Sequence, residues 1–151
     1  MKVSNNFIIQ EFIPPELYDD LIKKYGEKND YLINGFYKFM SKDIVDVAQK
    51  IRDFLGKPMI INDWHTGGKF NYRGFRPYNY FSNGIPTIKY SQHQMGRAID
   101  FHTYDLTAQE IRDLIIPMYK DLGFSAIEEV VNWIHVDCRY RKNGDLLRFN
   151  P

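Results

Sequence analysis

The apolar residues that follow Ser41 set the strongest limit on the fold. Ile44, Val47, Ala48, Ile51, Phe54 and Leu55 recur at three and four residues, which is one face of a helix, with Ser41 as N-cap and Gly56 and Pro58 closing the run. Further along the chain the period falls to two. Arg97-Ala98-Ile99-Asp100-Phe101 and Trp133-Ile134-His135-Val136-Asp137-Cys138 alternate as half-buried strands do. A chain that changes period in this way builds helices around a small, mostly antiparallel sheet, an α+β class. Two more helices are predicted. One starts at Pro14-Pro15, runs through Glu16 to Ile22 and stops at Gly26. The other follows the capping box Thr107-Ala108-Gln109-Glu110, carries Ile111, Leu114, Ile115 and Met118 on its apolar face, and is shortened by Pro117. Short strands are also predicted over Met59–Asn62 and Ala126–Glu129, the latter in a hairpin with 133–138.

With 151 residues the chain makes one domain, 1–151, and 44% hydrophobic residues supply its core. Cys138 is the single cysteine, which excludes a disulfide scaffold and a thiolate-rich zinc finger. Twenty basic against nineteen acidic side chains leave a net charge of +1, so no global field holds a polyanion or an anionic membrane. The aromatic and basic run Lys69–Arg76 is all that favours a nucleic-acid module, and the expectation is no nucleic-acid partner. No stretch of about 18 apolar residues exists, and Phe7-Ile8-Ile9 is too short for a signal core. A soluble protein made in the cytoplasm, with no membrane insertion, is expected. The stretch from Asp63 to Tyr90, rich in Gly, Pro, Tyr and Asn, is too long for a connector and is expected to carry function.

The chemistry gathers on two segments. In Ser91-Gln92-His93-Gln94-Met95-Gly96-Arg97-Ala98-Ile99-Asp100 a histidine ends a loop and a carboxylate lies on the strand that follows. Gly96, Ala98 and Asp100 share a face, and the two small residues predict open space beside the carboxylate. In the second segment Trp133, His135 and Asp137 share a face opposite Ile134, Val136 and Cys138. His93, Asp100 and His135 together would give the three protein ligands of a catalytic zinc, with one position open. Spacing alone leaves that reading level with ordinary hydrogen-bonded polar groups, which is the reading kept for His65 and His102.

Ser-x-His-x-x-Gly-x-Ala-x-Asp from Ser91 to Asp100, followed by Trp-Ile-His-Val-Asp from Trp133 to Asp137, resembles the zinc D-alanyl-D-alanine carboxypeptidase and vancomycin-resistance dipeptidase family, whose fold is shared with the hedgehog signalling domain. Gly74-Phe75-Arg76-Pro77 is similar to that family's Gly-Tyr-Arg-Ser segment. The resemblance covers Ile60 to about Arg139, a motif-bearing core of about 58–140. The insertion around Trp64–Gly68 and the Gly-Phe-Arg spelling look more like the phage-encoded branch, which includes endolysins and virion-associated proteins.

The resemblance implies a hedgehog or D,D-peptidase type of fold, one Zn2+ held by His93, Asp100 and His135, and hydrolysis of amide bonds in peptidoglycan stem peptides or cross-links, as carboxypeptidase or endopeptidase. It places Arg76 at the scissile amide as oxyanion donor. Ser91 would bind substrate or shape its loop. The family's general base stands two or three residues before the second histidine, where this chain has Trp133 and Asn132, and asparagine takes no proton at neutral pH. The base role therefore falls to Glu128 or Glu129 on the neighbouring strand, with Asp137 as the acceptor that holds the His135 ring. The phage branch implies cell-wall degradation at lysis or a place in the virion with other virion proteins as partners. The alternative is a non-catalytic virion structural or cell-wall-binding module on the same fold, which Asn132 favours.

Overall fold

The computed structural model describes residues 1–27, 29–79 and 90–151. The long stretch before Tyr90 is therefore described only as far as Asn79, and Tyr80, Gly84 and Pro86, read as part of it, lie outside the described residues.

Helix α1 (Pro15–Tyr25) starts on its proline pair and ends at Gly26, whose positive φ of 75° lets its N–H reach Ile22 O at 2.8 Å. Helix α2 (Asp30–Phe36) is an addition to the sequence reading. Seven residues are too few to show a helical period, and Gly35 reads as a breaker. Asn29 caps it by accepting from Leu32 N at 3.0 Å. A Cβ on Gly35 would sit 2.6 Å from the Tyr25 ring, so the glycine is what lets α2 lie against α1. Helix α3 (Lys42–Leu55) has Ser41 as its cap and buries Ile44, Val47, Ala48 and Ile51. Helix α4 (Ala108–Ile115) carries the reciprocal capping box, Glu110 Oε2 accepting from Thr107 N at 2.7 Å. Pro117 falls in a 3-10 turn that separates α4 from the single turn α5 (Tyr119–Leu122). Phe54 and Leu114, read on the apolar faces of α3 and α4, are exposed.

Four strands form one sheet in the order β1-β3-β2-β4: β1 (Ala98–Phe101), β2 (Ala126–Glu128), β3 (Ile134–Asp137) and β4 (Leu147–Phe149). Strand β3 pairs antiparallel with β1 and with β2, while β4 runs parallel to β2. The architecture is α+β. Two corrections apply to the predicted strands. Residues 59–62 form no strand, because only Ile60 pairs, bridging His102, while Asn62 N donates to Glu11 O at 3.1 Å and its side chain ties Ile13 to Arg73. Strand β4, three residues long and half-buried, carries too little alternation to be read.

Phe7, Phe12 and Phe36 stack edge to face in the centre of the core, and Ile99, Phe101, Ile134 and Val136 face it from the sheet. Cys138 joins them, and burial pushes its thiol up to about 12. Among the described residues, no helix is long and apolar enough to cross a membrane.

Candidate metal centre

Strand register brings the first two site residues together. Asp100 on β1 lies directly opposite His135 on β3, and opposite residues of an antiparallel pair present their side chains on the same face. His135 Nδ1 is 2.8 Å from Asp100 Oδ1. The third, His93, comes from the turn that feeds β1, and its Nε2 lies 3.2 Å from Asp100 Oδ1 and 3.1 Å from His135 Nδ1. A tetrahedral ion bound at about 2.0–2.1 Å needs donors about 3.3 Å apart. The buried His93, Asp100 and His135 group could therefore hold a metal ion.

The turn depends on Gly96. Its φ is +63°, and a Cβ there would stand 1.7 Å from Phe39 O. The space expected beside Asp100 at this position is thus filled by the chain itself, and Gly96 O accepts from Ser41 N at 2.8 Å. Ser91 closes the turn from the other end, its Oγ accepting from His93 N at 3.3 Å while it also faces the cavity described below.

Each imidazole is held at its outer nitrogen, which aims its other nitrogen at the site. His93 Nδ1–H donates to Gly74 O at 2.7 Å, which leaves the Nε2 lone pair toward Asp100 and His135. A Cβ on Gly74 would meet Phe12 O at 2.0 Å, so the glycine permits the backbone approach that aims this carbonyl, and Phe75 beside it anchors the segment against Phe39. His135 Nε2–H donates to Asp137 Oδ2 at 3.1 Å, which turns Nδ1 toward Asp100, where a metal ion would take the place of its proton. Asp137 is in turn held by Arg139, whose Nε and Nη2 reach its two oxygens at 2.8 and 2.5 Å. Asp137 thus lies in hydrogen-bond contact with the His135 ring.

The charges follow. Burial alone would raise Asp100, but His93 and His135 outweigh it and hold the carboxyl far below the usual range. Burial lowers His93 against the opposing pull of Asp100. Burial also works against a charged His135, yet its hydrogen bonds to Asp100 and Asp137 push it up to about 9. Asp137 is lowered to about 2, burial being overcome by His135 and Arg139.

Over this group opens a cavity of about 270 Å3. Arg76, Ser91, Glu128, Trp133, Arg139 and Phe149 line it. Arg76 Nη2 donates to Asp100 Oδ2 at 2.5 Å and its Nε to Tyr72 O at 2.8 Å. Glu128 Oε2 accepts from Trp133 Nε1 at 3.2 Å. Glu129 is not brought to the cavity: its Oε1 is paired with Arg148 of β4 at 2.5 Å, because residues 128 and 129 point to opposite sides. Of the two acids only Glu128 is placed to work there. His102 and His65 lie outside the metal group, His102 Nδ1 being 2.6 Å from Arg73 Nη1, while His65 Nδ1 is buried with no hydrogen-bond partner among the described residues.

Two further residues of the cavity carry no motif: Arg139, where only the continued alternation of 135 and 137 signals its side, and Phe149, whose ring stands 5.8 Å from that of His135. No family model matches the chain, and neither does a curated protein or a solved structure.

Proposed function

We propose that this chain is a zinc-dependent peptidase that hydrolyses amide bonds in peptidoglycan stem peptides or cross-links. The observation that carries the reading is the pair of histidines, oriented by Gly74 O and by Asp137, around one carboxylate at the floor of an open cavity that Glu128 and Arg76 also line. Two imidazoles and one carboxylate are the donor set of zinc hydrolases, whereas a structural zinc takes a fourth protein ligand. The peptidoglycan substrate comes from the resemblance of the Ser91–Asp100 and Trp133–Asp137 segments.

When bound, zinc supplies Lewis acidity to the scissile carbonyl and to water. The chain's own groups do the rest. Glu128 accepts the proton of the attacking water as the C–O bond forms, then passes it to the amide nitrogen as the C–N bond breaks, yielding an acid and an amine. Trp133 Nε1, donating to Glu128, orients that carboxylate. Arg76 fixes Asp100 and presents a permanent positive charge beside the carbonyl oxygen as its charge grows.

The test uses zinc-loaded protein and purified peptidoglycan. Soluble peptide fragments that vanish with chelator, and with Glu128→Gln at undiminished zinc content, are expected. Zinc-loaded protein that binds the wall but releases no fragment would replace this reading with the non-catalytic wall-binding module.

A further inference from the structure

The depression over the metal group does not end at Asp100. Arg76, Asp100 and Trp133 also wall a second hollow of about 240 Å3, and this one shares Phe70, Arg73 and Trp133 with a third of about 260 Å3 that continues to Thr103 and Ile111. The three hollows share their walls, Trp133 lining all of them, and together outline a groove that leads away from the metal group. It is large enough for several residues of an extended peptide.

Arg73 stands at the middle of that groove. Its guanidinium lies over the Phe70 ring, 3.5 Å from the centroid, and Nη1 donates to His102 Nδ1 at 2.6 Å. Its backbone is tied to the site: Asp100 N donates to Arg73 O at 2.7 Å, and Arg73 N to Asn62 Oδ1 at 2.9 Å. Arg76 and Arg139 each have a carboxylate partner, Asp100 and Asp137. Arg73 has none among the described residues, and only one of its five side-chain N–H donors is used there. Because Arg73 cannot give up its proton, His102 must accept at Nδ1 and carry its own hydrogen on Nε2, a further donor on the same wall. A half-buried cation with no carboxylate at ion-pair distance among the described residues, Asp100 and Asp63 acting on it only from farther off, and stacked flat beside these hollows, suits an anion with two oxygens.

We propose that Arg73 anchors a free carboxylate of the substrate. The proposal rests on the peptidase reading for the identity of the chain in the groove. It adds that the peptide must carry a carboxylate, either its C-terminus or a side-chain acid, several ångströms from the bond that is cut.

The experiment uses the zinc-loaded full chain and three synthetic peptides. They are N-acetyl-L-Ala-γ-D-Glu-L-Lys-D-Ala-D-Ala, the same peptide with a C-terminal amide, and the same peptide with the D-Glu α-carboxylate amidated. Dissociation constants come from calorimetry. One of the two amidations is expected to weaken wild-type binding by about 10- to 100-fold, which names the carboxylate used. Arg73→Met is expected to weaken the unmodified peptide by the same factor and to bring the ratio near one, at wild-type zinc content and melting temperature. Arg73→Lys, which keeps the charge and loses the fork, is expected to fall between, and it supplies the comparison if the Met variant melts early. Wild-type discrimination surviving in Arg73→Met, or equal binding or no binding of all three peptides by wild type, would overturn the proposal. Failure of the peptidase reading looks different: the peptides are bound with discrimination, and none is hydrolysed.

Discussion

Arg76 holds Asp100 from the side opposite its histidines: Arg76 Nη2 donates to Oδ2 at 2.5 Å, while Oδ1 faces His93 Nε2 and His135 Nδ1. The arginine that we propose acts on the substrate is thus also the residue that sets the orientation of a candidate metal ligand. Both oxygens of a mostly buried carboxylate are spent, one on a cation of the chain and one on the metal group. The two functions make separate demands on a substitution.

Arg76→Ala should lower zinc affinity by about 10- to 100-fold, the cost of losing a partner behind a ligand. Competition with a chromophoric chelator measures it. Arg76→Lys should retain part of the affinity, because it keeps the charge but not the second contact to Tyr72 O. A zinc affinity within twofold of wild type in the alanine variant would mean that Arg76 serves the substrate alone.

The metal-free protein should lose stability as the pH rises from 7 to 9. His135 is raised from its ordinary 6.5 to about 9. A group whose pKa is higher in the folded state contributes stability that is complete below the unfolded value and is lost as pH rises through the folded one. His93, lowered by burial, is neutral in both states above 6.5 and adds no slope in this window, and Cys138, raised to about 12, acts only at higher pH. Zinc takes the place of the His135 proton, so the loaded protein should show little slope, and binding at pH 7 should release about one proton from the site. Urea unfolding at pH 7 and 9, with and without zinc, and calorimetry in buffers of different ionisation enthalpy check both statements. A metal-free protein equally stable at both pH values would refute the protonated His135.

What the sequence made legible follows physical lines. Helix α1 with its proline start and glycine stop, α3 and α4 with their side-chain N-caps and apolar periods, and strands β1 and β3 are readable because local signals and burial agree there. For His93, Asp100 and His135, alternation gives the face of each strand residue, but spacing alone leaves a metal set level with ordinary polar groups, and their convergence depends on the β1–β3 register. Residues 59–62 misled because an apolar run shows burial but not pairing, and Ile61 is buried with only Ile60 bridged. The choice between Glu128 and Glu129 depended on which side of the strand end faces β4, a long-range fact. Gly96 was read as space when it marks a close backbone contact, and a glycine in sequence signals either.

Arg112 should prove among the most costly side chains to remove. It comes from α4, is 3% exposed, and donates through Nε to Glu128 O at 3.0 Å and through Nη2 to Val131 O and Trp133 O at 2.7 and 2.8 Å. Arg112→Met leaves those carbonyls without their donor, a loss of about 3 kcal/mol or more. Lysine cannot reproduce the fork and should recover little. Denaturant unfolding reads the loss, and a change below about 1 kcal/mol would show that water replaces the clamp.

Val130 sits between the carbonyls that Arg112 holds, at a φ of +61° and 83% exposed. A β-branched residue in the left-handed region is strained, at about 1–3 kcal/mol, and persists only where the surroundings impose the conformation. Here the surroundings are the Arg112 contacts on either side. Glycine adopts that conformation freely but adds about 0.4–1 kcal/mol of unfolded-chain entropy, so Val130→Gly should stabilise the protein by about 1 kcal/mol. In an Arg112→Met background the loop is released and valine can relax, so the gain should disappear. A double-mutant cycle by urea unfolding measures the coupling. The same gain from glycine in both backgrounds would show that the strain at Val130 is imposed by the turn itself and not by Arg112.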